Sequence, residues 1–187
     1  MAHFYSIGHS NLELDAFVAR LLSHGITGLA DLRQQPYSGY VPHFNKEHLQ
    51  QHLKTINIAY AWLGDSLGQR FEDQCQKAQG TDLELFFGHP LMLAGLQRLE
   101  KGAQHYKLAL LCSEGDVIAC SRAMLVSEAL IRRGHHITHL GTKGELASHD
   151  DVLNRFADKN GINRLSLLAD ADDWKMLCYR MMTKVDG

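Results

Sequence analysis

This sequence predicts a three-layer α/β fold around a mostly parallel sheet of about five strands. Three observations point to it. Short β-type runs alternate with helical patterns along residues 3–141. One run, YKLALLC (106–112), is apolar on both faces, as a central parallel strand must be. Polar residues gather after the strands rather than within them. The expected topology is Rossmann-like, with a C-terminal helical appendage, and residues 1–187 read as one domain.

Each element follows from local chemistry. HFYSIG (3–8) is the first strand, and Ser10 to Glu13 (SNLE) reads as a capping box at a helix start. The helix LELDAFVARLLSH (12–24) lines up Leu14, Phe17, Val18, Leu21 and Leu22, and Gly25 ends it. GLADLR (28–33) is the second strand. QQPYSGYVPHFN (34–45) holds two of the three prolines and reads as a structured loop. KEHLQQHLKTIN (46–57) is a helix and IAYAWLG (58–64) the third strand. DSLGQRFEDQ (65–74) looks like a loop entering a short helix. HPLMLAGLQRLEKG (89–102) is a helix with Pro90 in its first turn and Gly102 at its end. After the strand at 106–112, SRAMLVSEALIRRG (121–134) is a helix with arginines at its negative end. HITHLG (136–141) is the fifth strand, and two more helical patterns cover 150–159 and 171–184.

Composition excludes several classes. The net charge of -2 gives no global attraction to nucleic acid or anionic membrane. No apolar run approaches the ~18–20 residues of a membrane span, and the first residues lack the pattern of a signal peptide. Four cysteines, without an export signal and without a CxxC pair, suggest reduced thiols and a cytoplasmic protein. A P-loop, GxGxxG and HExxH are absent from the sequence.

In a parallel sheet the residues after each strand share the carboxyl edge, where open α/β sheets bind ligands. That places His9 and Ser10, Asp31, Arg33 and Ser38, and then Cys112, Glu114, Cys120 and Arg122 along one line. Arg122 falls in the first turn of its helix, where a cation is disfavoured unless an anion sits there. Arg33 can reach the same place. Alternatively, Arg122 pairs with Glu114 or Asp116, and Arg33 with Asp31. Cys112 reads either as a nucleophile, its pKa lowered by the helix and arginine with His9 as base, or as a small buried apolar residue. A zinc or iron site from Cys112, Cys120, Glu114 and a strand-end histidine is outweighed, because the spacing matches no standard pattern; no cofactor is expected. Tyr37, Tyr40 and Phe44 can stack on a ring or staple the proline loop. His24, His43, His48, His52, His89, His105, His135, His136 and His149 read mostly as solvated surface.

The quoted motifs carry a resemblance. SIGHS (6–10), DLRQQPYSGYVPHFN (31–45), LGDSLGQR (63–70), CSEGDVIACSR (112–122) and THLG (138–141) stand in the order of the bacterial and archaeal domain-of-unknown-function family 488, which the chain resembles over about residues 3–141. The resemblance implies His9, Ser10, Asp31, Arg33, Pro36, Ser38, Phe44, Cys112, Glu114, Cys120 and Arg122 as characteristic positions, and it implies no reaction. Ser121 stands where that family usually has His, and Gly39-Tyr40 where it often has a basic pair.

The expected function is therefore an anion-binding cleft at the carboxyl edge, of phosphate or nucleotide type. Its ligand would be a small anion, a nucleotide or a nucleic-acid end. The alternatives are a thiol enzyme using Cys112 with Glu114 orienting, and a non-catalytic interaction domain.

Overall fold

A computed structural model describes residues 1–68, 83–164 and 173–185. The first strand, β1 (His3–Gly8), leads through a turn to α1 (Leu14–Ser23) and β2 (Gly28–Asp31). A 3-10 turn at Pro42–Phe44 precedes α2 (Lys46–Thr55) and β3 (Ala59–Trp62). The helices α3 (Leu83–Phe87) and α4 (Pro90–Gly102) lead to β4 (Leu108–Cys112). A 3-10 turn at Val117–Ala119 enters α5 (Ser121–Arg132). The chain continues through β5 (His136–Leu140), β6 (Leu146–Ser148), α6 (His149–Lys159) and α7 (Asp173–Val185).

Among the described residues the sheet has six strands, in the order β3-β2-β4-β1-β5-β6. All pairs are parallel except β5 with β6. The α/β class and the largely parallel sheet are as expected. The sixth strand is additional: Gly141–Glu145 turns the chain, Gly144 takes a positive φ of 86°, and three residues pair back on β5. β4 lies between β1 and β2, whereas the dinucleotide-binding order places the first and second strands side by side.

The pleat sends alternate residues to two cores. On one face Ile7, Leu29, Ala109 and Leu111 pack with α1 and α2 through Phe17, Leu21, Leu49 and Leu53. On the other, Phe4, Ala30, Leu108 and Leu110 pack with α4 to α7 through Leu96, Leu125, Phe156 and Tyr179. All five residues of β4 are buried, which explains why that strand is apolar on both sides. Among the described residues, no helix is long and apolar enough to cross a membrane.

Two local expectations change. The capping box at Ser10–Glu13 does not form. α1 starts at Leu14, Ser10 is left-handed at φ 48°, and its amide donates to the Ser113 carbonyl at 2.8 Å. Cross-strand pairing has overridden the local cap. A true capping box sits instead at Ser148 and Asp151, opening α6. Leu22, expected on the buried face of α1, is exposed. The loop and short helix expected over 65–74 fall mostly outside the described residues.

Candidate functional site

The ends of β1, β2 and β4 meet at the carboxyl edge, and hydrogen bonds continue the ladder past the strands. The His9 amide donates to the Cys112 carbonyl at 3.1 Å, and the Leu32 amide to the Leu111 carbonyl at 3.0 Å. Close approach here requires Gly8, since a Cβ at that position would sit 1.6 Å from the Glu114 carbonyl oxygen.

At the centre is a buried ion pair. Asp31 is 0% exposed and Arg33 4%. The Arg33 guanidinium grips both carboxylate oxygens, Nε to Oδ1 at 2.9 Å and Nη2 to Oδ2 at 2.6 Å. The Arg33 amide also donates to Oδ1 at 3.0 Å, and the Tyr60 hydroxyl to Oδ2 at 2.7 Å. Burial and the Asp31 charge push the Tyr60 hydroxyl pKa upward, so it stays a donor. Arg33 Nη2 donates again to the Phe44 carbonyl at 2.8 Å, and Trp62 Nε1 donates to the Arg33 carbonyl at 2.8 Å. Arg33 is thus held mainly as the partner of Asp31, the ion-pair reading of the sequence.

His9 completes this network. Its Nδ1 is 2.7 Å from the Ser10 carbonyl, so it must carry the proton, and Nε2 accepts from Arg33 Nη1 at 3.2 Å. The ring stacks on Phe44 with centroids 4.4 Å apart. Burial and then the Arg33 charge lower its pKa to about 4, leaving a neutral imidazole. Both nitrogens are committed to partners other than Cys112, so the arrangement orients loops rather than activating a thiol.

Cys112 reverses the sequence expectation of a lowered pKa. It is 3% exposed, and its sulfur lies 3.8 Å from the Ile7 carbonyl and 3.7 Å from the Glu114 carbonyl. A hydrogen bond with Cys120, then burial, push the Cys112 thiol well up. The positive end of α5 is used by Cys120 instead, whose sulfur accepts the Ala123 amide at 3.4 Å as the helix N-cap. Cys112, Glu114 and Cys120 each offer a donor atom, and these atoms lie within 4.8 Å of one another.

Arg122 is less committed. Nη1 reaches the Gly68 carbonyl at 3.4 Å, and Nη2 is 4.0 Å from Glu114 Oε1. Asp116, the other expected partner, pairs with Arg155 at 3.2 Å. Between Arg122 and Arg33 lies a cleft of about 320 Å³ lined also by Gln34, Gln35 and Ser113. The residue types of those three walls carried no signal in the sequence; only their neighbours did.

Ser38 and Ser10 do not line this cleft. The Ser38 hydroxyl accepts the Tyr40 amide at 3.2 Å and its own amide donates to Asn45 Oδ1 at 2.7 Å, so it shapes the proline loop. Phe44 is a buried staple against Phe17, whereas Tyr37 bonds Glu47 on the surface and Tyr40 is exposed.

A second polar cluster was not foreseen. Ser6 Oγ is 2.6 Å from His139 Nδ1, His139 Nε2 is 2.9 Å from His149 Nδ1, and His149 Nε2 is 2.7 Å from the Tyr179 oxygen. The Tyr179 hydroxyl donates to Glu128 Oε2 at 2.8 Å. That last donation fixes the direction of the chain: each neutral ring accepts at Nδ1 and donates from Nε2. His149, expected on the surface, is buried. Burial, followed by the neighbouring His149, lowers the His139 pKa to about 3, and burial lowers that of His149 to about 4. A cavity of about 570 Å³ beside the relay is lined by Glu128, Arg132, His149 and Lys175, among others.

Fold and site together define an α/β protein with a largely parallel sheet and a polar cleft at its carboxyl edge. Residues 13–129 match the family described as "Domain of unknown function DUF488", and the chain belongs to that family. No curated protein and no solved structure matches the chain. The matched span contains the Asp31–Arg33 pair and the Cys112–Arg122 segment, while His139, His149 and Tyr179 of the relay lie beyond it.

Proposed function

We propose that the cleft between Arg33 and Arg122 binds a small phosphate-bearing anion, with Arg122 as its principal cation. The carrying observation is the lining: among the described residues it is two arginines, two glutamines and a serine, side chains that would bind an anion. Its volume of about 320 Å³ suits a phosphate with a small organic part, since ligand pockets span roughly 300–1,000 Å³. Arg33 supplies field more than hydrogen bonds, because three of its guanidinium contacts go to Asp31 and Phe44 and one to His9. Among the described residues the contacts of Arg122 are long, 3.4 Å to the Gly68 carbonyl and 4.0 Å to Glu114, so it can turn to a ligand. Gln34, Gln35 and Ser113 would complete the shell as neutral hydrogen-bond partners.

A nucleotide and a nucleic-acid end share this chemistry, and the net charge of -2 favours the small ligand over an extended strand. A thiol enzyme built on Cys112 is the weaker reading, since its sulfur is buried and its ionisation suppressed.

Calorimetric titration of the full chain with orthophosphate and with adenosine monophosphate tests the proposal. Saturable binding that weakens with salt is expected. Arg122→Ala should reduce it about tenfold or more, the cost of one charge-assisted contact of ~1.5–3 kcal/mol. Absence of saturable binding to either ligand, or binding indifferent to Arg122→Ala, would overturn it.

A further inference from the structure

We propose that Cys112, Cys120 and Glu114 form a binding site for a zinc-type divalent transition-metal ion. The inference does not rest on the anion cleft: its ligand atoms are different, and Arg122 alone borders both.

In the sequence the two cysteines are eight residues apart, a spacing foreign to standard zinc motifs. The fold removes that objection. Cys112 ends β4, the chain turns through Val117–Ala119, and Cys120 caps α5 beside it. Glu114 enters from the intervening loop. The two sulfurs and a carboxylate oxygen then lie within 4.8 Å of one another. Tetrahedral zinc holds sulfur at ~2.3 Å and oxygen at ~2.0–2.2 Å. Donors around such an ion are therefore roughly 3.5–4 Å apart, so closing the site needs only side-chain adjustment.

A second observation concerns Glu114. Its Oε2 is buried and has no hydrogen-bond partner among the described residues. A buried carboxylate oxygen without a partner is costly, and a metal ion is a partner that satisfies it. The Cys120 sulfur also sits where a helix start favours negative charge. The Ala123 amide already points at the Cys120 sulfur, and the N-terminus of α5 supplies positive potential. Both cysteines are 3% exposed, shielded from competing water.

Charge balance supports the assignment. Each thiol gives up a proton on binding, so one ion releases two protons and meets two thiolates and one carboxylate. The assembled site carries one net negative charge, and the Arg122 guanidinium, 4.0 Å from Glu114 Oε1, offsets it. Three protein ligands leave one position for water or an exogenous ligand, the pattern of an open rather than a closed zinc site.

The experiment is metal loading of the full chain. Chelator-treated protein is titrated with Zn²⁺ against a chromophoric competitor while proton release is followed, and with Co²⁺ while the optical spectrum is recorded. One ion per chain is expected, with two protons released and a thiolate-to-cobalt charge-transfer band above intense tetrahedral d–d bands. Glu114→Gln, at a partly exposed position, should keep the fold and weaken zinc by about tenfold or more, at least what loss of an outer-shell partner costs. Cys120→Ser preserves a good helix cap and should abolish the two-thiolate spectrum. The proposal falls if no stoichiometric ion binds, or if cobalt gives a weak octahedral spectrum without the sulfur band. It also falls if zinc affinity is unchanged in folded Glu114→Gln or Cys120→Ser.

Discussion

The strand-edge network around Asp31 and the relay from Ser6 to Glu128 are both buried and hydrogen-bonded, yet they use opposite materials. The first is centred on a full ion pair, Arg33 on Asp31 at 2.6 Å, with neutral His9 and Tyr60 as supports. The second passes through two neutral imidazoles and a phenol and reaches charge only at Glu128, which Arg132 pairs at 2.9 Å. An ion pair in the interior is intolerant of losing one member, because the other is left as an uncompensated charge. A neutral relay tolerates deletion better, and its weakness is the proton.

The largest expected effect lies in the ion pair. Arg33→Ala should cost about 3–5 kcal/mol of folding stability, read as a fall in the urea midpoint. The double variant Asp31→Leu/Arg33→Met should recover much of it. Should the double variant be as unstable as the single, the pair's bonds to Tyr60 and Phe44, rather than its charges, hold the edge.

Acid should strike the relay harder. Folded His139 and His149 stay neutral down to about 3 and about 4, while the unfolded rings take up protons near pH 6.5. Nothing is lost above about pH 6.5; below it stability falls, and the loss levels off near the folded values. The upper limit is ~1.4 kcal/mol per pH unit for each ring. His9, lowered to about 4, acts with the same sign, but it is one ring against two. Urea midpoints at pH 7.5, 6.0 and 5.0 should therefore flatten more when His139 and His149 are both replaced by Gln than in His9→Gln. The reverse order would place the acid-sensitive point at the strand edge.

The smallest difference separates the two tyrosines. Tyr179→Phe removes the contact joining His149 to Glu128 and should cost about 1–3 kcal/mol. Tyr60→Phe leaves Asp31 its three bonds from Arg33 and should cost about 1 kcal/mol. Chemical denaturation at neutral pH, where the imidazoles are neutral, orders them; a larger loss for Tyr60→Phe would break the contrast.

The same contrast governs what was legible in the sequence. Asp31, Arg33, Cys112 and Arg122 announced themselves because charged and thiol residues stand at strand ends, where a parallel sheet collects them. The relay was hidden because histidine at the start of a polar helix looks solvated. Its partners are also distant in the chain: Ser6 and His139 are 133 residues apart, and His149 and Tyr179 are 30. β6 escaped because three residues carry no periodicity, and it forms only against β5. At Ser10 the local pattern was present but lost to a cross-strand bond with Ser113. The approach of Cys120 to Cys112 required the 3-10 turn at Val117–Ala119, which spacing alone does not reveal.

The strand order has a consequence for how this chain comes into being. β1 is synthesised first, yet it stands between β4 and β5, with Tyr5 facing Ala109 and His3 facing His136. On the ribosome it has no neighbour until most of the chain has emerged. β2 can pair early with β3, but its other neighbour, β4, comes late. Such non-local pairing slows the search for the native state. Until those partners arrive, the backbone donors and acceptors on both edges of β1 stay unpaired.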